Sequence, residues 1–465
     1  MCVIYPLISF PYVSRVLSIE SLGKVNYANS IVQYFILLAM LGTSTYATRE
    51  CSYFRKNKEG LNNLASEIFT INIITTFGAY AGLFILLFFS SGLKPYIVLI
   101  LFLSSSIAFN TMGIDWINST FEDYFFITIR SIVIQIISLL LLFLIVRRPE
   151  DYYQYAFLQI FSNAAICITN FFYCKKYVRL KIKIKNNHFI KHFKGMLVFF
   201  ANSLAITVYC NADTTMIGAI LSDYDVGIYT VAMKIYTIIK NLIAAIFVVC
   251  IPKLSILFGE KDKTKFKDLL NNILGILTIL VFPISFGLIG VSEMVVKLIA
   301  GEDYIMAVMP LQCLSLGIVF AIFGGFWVNC INIPMKQEKI SLKATVLAAV
   351  LNIVLNLLAI PTLHQVGAAV TTVVAEGIVF VISYMLNKES RGYIQSKKFI
   401  RRFSESLIGG VSVWALCKGV SYFVSNCFVG LIISIILGGV FYFFELLFFK
   451  EELLLDIVLR RKKRR

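Results

Sequence analysis

The chain has 465 residues, 58% of them hydrophobic, and a mean hydropathy of +0.82, which is more apolar surface than a water-soluble fold can bury. Its ten cysteines are scattered with no C-x-x-C and sit mostly inside apolar runs, which argues for small packed hydrophobes and against a disulfide or metal framework. The formal charge of +17, from 43 Lys plus Arg against 26 Asp plus Glu, is a basic excess whose placement decides its meaning.

Fourteen apolar segments follow one another, each long enough, or nearly so, to cross a hydrocarbon core of roughly 30 Å. They cover 1–17, 25–46, 64–90, 95–116, 126–146, 152–174, 195–220, 226–250, 269–290, 307–330, 340–362, 366–387, 403–424 and 427–449. They lack the roughly ten-residue alternation of a membrane barrel, so the fold class is an all-α polytopic membrane protein with about 14 transmembrane helices. The N-terminus has no basic n-region and no small-residue cleavage site, and the first span is expected to stay in the mature protein. That span contains Arg15. A cation near the middle of a spanning helix costs roughly 2.5 to 3.5 kcal/mol, so it is expected to face a wet cavity or a partner.

With the N-terminus inside, the inner loops and tail hold 33 Lys plus Arg and the outer loops hold 5. This bias predicts that both termini are cytoplasmic. The charge is then topogenic: the run KKYVRLKIKIKNNHFIKHFK at 175–194 and the RRKKRR tail at 460–465 lie against an anionic inner leaflet, and the expected partner is membrane lipid, not nucleic acid. His188 and His192 stand at i, i+4 like a metal pair, yet no carboxylate or cysteine is near in sequence, so a solvated loop is expected. Asp223-Tyr224-Asp225 has a metal-holding D-x-D spacing but falls in a short outer turn and reads as a polar turn. Loops of at most about twenty residues leave no room for a catalytic domain, and G-x-S-x-G, H-E-x-x-H and Walker A patterns are absent. Neither enzymatic activity, ATP coupling nor a metal or organic cofactor is expected.

Leu17-Ser18, Gly23 and Ala28 recur as Leu221-Ser222, Gly227 and Ala232, all at an offset of 204. Both copies fall on the turn joining the first two helices of a six-helix set, which predicts parallel repeats about an axis along the membrane normal. The expected organisation is an N-lobe at 1–174, a basic cytoplasmic linker at 175–194, a C-lobe at 195–387, and two further spans with a basic tail at 388–465. The two lobes are expected to enclose a central cavity. By the same offset the first span is about ten residues short, so either translation begins upstream of Met1 or a short helix kinked at Pro6 and Pro11 still delivers Arg15.

Within that frame the in-span polar residues acquire candidate roles. Asn202, Tyr209 and Asp213 line one face of the seventh span, while Lys234 and Lys240 of the eighth point roughly 120° apart. Asp213 could balance charge, exchange a coupling ion or pair structurally with Lys234. Glu376, mid-span in the twelfth, could carry a coupling proton or sodium ion or be a packed neutral acid. Asp115, Trp116, Glu122 and Arg130 are expected to organise the hairpin after the fourth span, and Lys418 and Glu445 to satisfy one another.

PYVSRVLS at 11–18 followed by G-x-V, ATRE at 47–50, DW at 115–116, N-x-D-x-x-x-I-G at 211–218, VGIYTVAMKIYTIIKNLI at 226–243 and IPKLS at 251–255 carry a family likeness. The chain resembles the Wzx-type flippases of O-antigen and related repeat units, members of the multidrug, oligosaccharidyl-lipid and polysaccharide exporter superfamily. The resemblance implies a two-lobed exporter in the bacterial cytoplasmic membrane that moves a polyprenyl-pyrophosphate-linked oligosaccharide to the outer leaflet by alternating access. Polysaccharide polymerase and glycosyltransferases are the implied partners. On this reading Arg15, Lys234 and Lys240 would bind pyrophosphate, since an arginine fork suits phosphate oxygens and lysine acts as a point charge. Asn202 and Tyr209 would line the cavity, Asp213 and Glu376 would serve charge balance or coupling, and Arg49, Asp115, Trp116, Glu122 and Arg130 would serve structure or gating. In a similar lipid-linked peptidoglycan precursor flippase the last two helices help form a groove for the lipid tail, and spans thirteen and fourteen could do likewise. The rival readings are such a peptidoglycan-precursor flippase, a multidrug exporter and a polysaccharide polymerase or ligase. The in-span cation surplus argues against the second, and the short outer loop at 291–306 against the third.

Overall fold

The computed structural model describes residues 4–183, 186–449 and 451, and every regular element among them is helical. The chain forms two compact units, Met1–Gly227 and Ile228–Arg465. The first unit holds α1 (Ile4–Val16), α2 (Ile19–Met40), α3 (Thr43–Tyr53), α4 (Lys58–Phe89), α5 (Ile97–Met112), α6 (Asp115–Thr120), α7 (Tyr124–Ile145), α8 (Tyr152–Cys174) and α9 (Asn186–Ile220), and α10 (Asp223–Gly259) begins in it. The rest of α10 belongs to the second unit, with α11 (Lys263–Ile299), α12 (Val308–Phe326), α13 (Glu338–Leu386), α14 (Ser396–Phe423) and α15 (Cys427–Phe448).

Eleven helices among the described residues are long and apolar enough to span a membrane, and a bent pair within 190–220 makes twelve. The remaining two expected spans are explained by geometry. α1 has 13 described residues with Pro11 inside it. α13 has 49 residues, which as one straight helix would be about 74 Å long, far beyond a bilayer. It folds back at His364, whose φ of 51° and ψ of −137° lie outside helical space. Thr371 donates to the Asn356 side chain across the bend, and a Cβ on Gly367 would lie 2.4 Å from the Ala359 carbonyl oxygen. The expected spans 340–362 and 366–387 are therefore the two arms of this hairpin.

The second expected span, 25–46, is divided. Leu41 and Gly42 are left-handed at φ 45° and 70°, and a Cβ on Gly42 would lie 2.5 Å from the Phe200 backbone nitrogen on α9. Glycine is thus required by both the dihedral and the close approach. The basic linker is more ordered than a solvated loop. Its extended stretch donates the backbone N–H groups of Arg179, Lys181 and Lys183 to Asn62, Ser66 and Thr70 of α4, at 2.8, 3.1 and 3.0 Å. The periods match: alternate residues of an extended chain advance about 6.6 Å, and residues four apart on a helix about 6 Å.

The sequence repeat has a structural counterpart. α2 starts at Ile19 and α10 at Asp223, 204 positions apart (223 − 19). Each is capped by its preceding serine: Ser18 Oγ accepts from Ser21 N–H at 3.1 Å, and Ser222 Oγ from Asp225 N–H at 3.3 Å. The helix starts cross at the repeated glycines. A Cβ on Gly23 would lie 1.8 Å from the Asp223 carbonyl oxygen, and one on Gly227 would lie 2.3 Å from that of Ile19. Gly23→Ala and Gly227→Ala should each destabilise the protein by about 1 to 3 kcal/mol through forced separation of the two helices. Gly439→Ala, where an added Cβ meets nothing within 4 Å, should be neutral or stabilising. Thermal unfolding in detergent checks the comparison.

Candidate functional site

Tyr229, Tyr236 and Lys240 stand at i, i+7 and i+11 on α10 and share one face. That face meets Thr372 and Glu376, one turn apart on the second arm of α13. The Tyr236 hydroxyl and Lys240 Nζ both donate to Glu376 Oε1 at 2.9 Å, and the Tyr229 hydroxyl lies 3.4 Å from Thr372 Oγ1. Glu376 is only 6% exposed, so its charge would be costly without these donors. The Lys240 ammonium also lies 5.0 Å from the centroid of the Tyr236 ring. Lys234 lies on the face of α10 opposite Tyr236 and is exposed, and among the described residues no carboxylate pairs with it.

In the first unit, α2 and α9 share a polar seam. The Thr215 hydroxyl donates to Ser30 Oγ at 2.9 Å and lies 3.3 Å from the Tyr34 hydroxyl. Asp213 is buried half a turn before Thr215, Tyr209 is half-buried, and the side chain of Asn202 lies outside the described residues. Arg15 occupies the last turn of α1 and is exposed. The expected cations are therefore shared between the units: Arg15 in the first, Lys234 and Lys240 in the second.

The residues expected after the fourth span form a separate cluster. Arg130 is buried and donates to Asp115 Oδ1 at 3.0 Å, with its guanidinium 5.5 Å from the Phe126 ring. Trp116 is 2% exposed in a core with Tyr46, Cys51, Leu61 and Ile117. Glu122, at φ 58°, pairs with Arg55 at 3.0 Å. Arg49 pairs with Glu50 at 2.8 Å and stacks over the rings of Tyr46 and Phe199. Lys418 and Glu445 form no pair among the described residues. They stand at opposite ends of the α14–α15 hairpin, Lys418 near its turn and Glu445 near its open end.

Two polar groups were not legible as sites. His192 is buried, not solvated: its Nε2 lies 3.3 Å from Glu67 Oε2 and its Nδ1 2.7 Å from the Tyr46 hydroxyl. The side chain of His188 lies outside the described residues. Asp123, in the turn before α7, accepts from the hydroxyls of Tyr173 and Tyr177 at 2.6 and 2.7 Å and from Lys176 Nζ at 3.2 Å. Those two phenols, foremost Tyr173, hold its carboxyl well below the usual carboxylate range. The only advance signal was Tyr173 and Tyr177 at i, i+4 at the end of a span.

Two predictions follow from these contacts. Removing Glu376 alone, as Glu376→Leu, leaves the Lys240 charge without its anion and should cost about 3 kcal/mol, while Glu376→Leu with Lys240→Met should recover part of the loss. Thermal unfolding of the cycle measures the coupling. For Asp123 the folded pKa is depressed, so its contribution is present above the ordinary carboxylate range near pH 4 and is lost as pH falls below it. The gap in thermal midpoint between wild type and Asp123→Asn should be full at neutral pH and should close on acidification below about pH 4.

The family model described as "Polysaccharide biosynthesis protein" matches residues 2–258. A putative O-antigen transporter of Shigella dysenteriae is 24% identical over 373 residues, covering 78% of this chain and 90% of the relative. A capsular polysaccharide biosynthesis protein of Staphylococcus aureus is 22% identical over 383 residues, covering 79% and 91%. Among solved structures, the lipid II flippase MurJ in its inward closed conformation superposes with a TM-score of 0.74 at 17% identity, over 96% of this chain and 97% of that one. The last likeness is one of fold.

Proposed function

We infer the function from one premise: this chain belongs to the polysaccharide biosynthesis protein family. It translocates a polyprenyl-pyrophosphate-linked oligosaccharide repeat unit from the inner to the outer leaflet of the bacterial cytoplasmic membrane by alternating access, and it is not an enzyme. The relatives named as a putative O-antigen transporter and a capsular polysaccharide biosynthesis protein support surface polysaccharide as the destination. The observation that supports the reading most is Lys234, a cation within a long apolar helix with no carboxylate partner among the described residues. A membrane protein keeps such a charge at a cost, and a doubly anionic pyrophosphate is a ligand that offsets it.

Arg15 and Lys234 are the candidate pyrophosphate ligands. Lys240 contributes through Glu376, and that carboxylate together with Asp213 is the candidate for proton or sodium coupling. Asn202 and Tyr209 are candidate glycan contacts. Asp115, Trp116, Glu122, Arg130 and Arg49 support the end of the first unit where α3, α6 and α8 meet. The charge bias of the loops supports cytoplasmic termini, with the polymerase and glycosyltransferases of the same polysaccharide as partners.

The test is genetic and quantitative. In the native host, loss of the gene should abolish surface polysaccharide and trap lipid-linked units at the inner leaflet. Arg15→Ala and Lys234→Ala, supplied at equal membrane abundance, should lower surface polysaccharide by about tenfold, the scale of one lost charge-assisted contact. Full restoration by both variants and by Asp213→Ala would remove the site assignment.

A further inference from the structure

A second cationic site lies in the second unit, roughly 27 Å along α10 from Lys240. There the last turn of α10, the first turns of α11, the turn at Lys336 and Tyr393 enclose a pocket of about 460 Å³. One wall is aromatic. Phe266 is buried, with the rings of Phe258 and Tyr393 at centroid distances of 5.6 and 5.3 Å. The wall is held in place, because Asn271 Nδ2 donates to the Tyr393 carbonyl at 2.7 Å and accepts at Oδ1 from Gln395 N–H at 2.9 Å.

The remaining lining is basic. Lys261, Lys263 and Lys336 are all exposed at the pocket, and among the described residues none has a carboxylate partner. The one acid on the rim, Asp262, is already engaged: it caps α11 by accepting from Lys265 N–H at 3.0 Å and pairs with Lys265 Nζ at 2.9 Å. Three like charges from two separate connections therefore converge on one concavity without compensation, a field that an anion relieves. Lys261 and Lys336 are both left-handed, at φ 59° and 56°, because each closes a helix with a Schellman cap: Asp262 N–H donates to the Leu257 carbonyl at 3.2 Å and Gln337 N–H to that of Asn332 at 2.7 Å. The caps fix the directions in which the two connections leave their helices.

We propose that this pocket binds a phosphorylated ligand carrying an apolar or ring-shaped body, with Lys261, Lys263 and Lys336 on the phosphate oxygens and Phe258, Phe266 and Tyr393 against the body. The two lysine-bearing connections, α10–α11 and the turn before α13, are separated by two spans and so lie on the same side of the membrane. Under the proposed orientation that side is the cytoplasm, where the phosphate could belong to a soluble nucleotide or to a phospholipid headgroup.

The experiment uses the full chain in phosphatidylcholine nanodiscs and measures binding of pyrophosphate, UDP and, separately, phosphatidylglycerol introduced into the disc. Saturable pyrophosphate binding, tighter for UDP and weakened about tenfold by Lys336→Gln or Lys261→Gln, is the expected result for a soluble ligand. Phe258→Ala should then remove the advantage of UDP over pyrophosphate. The same lysine dependence seen only with phosphatidylglycerol assigns the phosphate to a lipid headgroup. Lys253→Gln, an exposed lysine of α10 that does not line the pocket, is the control for general charge. The proposal is overturned if no probe binds saturably, or if Lys253→Gln weakens binding as much as the pocket variants do. Unchanged elution on size exclusion and an unchanged thermal midpoint establish that the variants are folded. This outcome is independent of whether surface polysaccharide depends on Lys234.

Discussion

The hydrocarbon interior offers a backbone no hydrogen-bond partner, and the helix breaks in this protein are arranged around that constraint. After α2 ends, Leu41 N–H still reaches the Leu37 carbonyl at 3.0 Å, and Thr75 of α4 donates to the freed Ala39 carbonyl at 2.6 Å. After α5, Gly113 N–H is shared between the carbonyls of Phe109 and Asn110. The α13 bend is braced by the Asn356 and Thr371 side chains, both buried. Side-chain hydroxyls and amides thus stand in for the missing ladder, which explains why buried Ser, Thr and Asn are so frequent in helices that are otherwise apolar.

Charge obeys the same constraint with a different remedy. Arg130 and Glu376 are each buried within a helix, and each has an opposite charge at hydrogen-bond distance. In both cases the partner is the more exposed of the two, Asp115 at 46% and Lys240 at 28%, so only one member of each pair is fully enclosed by protein. Where solvent is freely available, as at Arg49–Glu50 and Arg55–Glu122, the pairs contribute little energy and mainly fix side-chain direction.

The spans, the all-helical class and the repeat were legible because each rests on local sequence: apolar length, a capping serine and a glycine four residues into the helix. Ser18–Gly23 and Ser222–Gly227 carry enough of that grammar to predict that their helices start alike, and the reciprocal glycine contacts arise from it. Partner choice was not legible. Helical spacing placed Lys234 and Lys240 on different faces but could not say which met Glu376, a contact made across 136 positions. The sequence puts no carboxylate near His192, which predicts a solvated loop, whereas its carboxylate arrives from Glu67 on α4. The linker showed only its charge, since its order depends on Asn62, Ser66 and Thr70 presenting acceptors in step with an extended chain.

The two lysines of α10 stand on different faces of one helix, and only one of them has a carboxylate partner among the described residues. Tyr236 and Lys240, four residues apart, turn one face into an anchor for Glu376 and fix the rotation of α10 against α13. Once that rotation is fixed, Lys234 must project the other way, because it lies about 200° from Tyr236 around the helix. Its exposure is a consequence of the anchor. A polar residue without charge at 234 would meet the same geometry at lower insertion cost, and under the function proposed above an anionic ligand at that face is what offsets the difference.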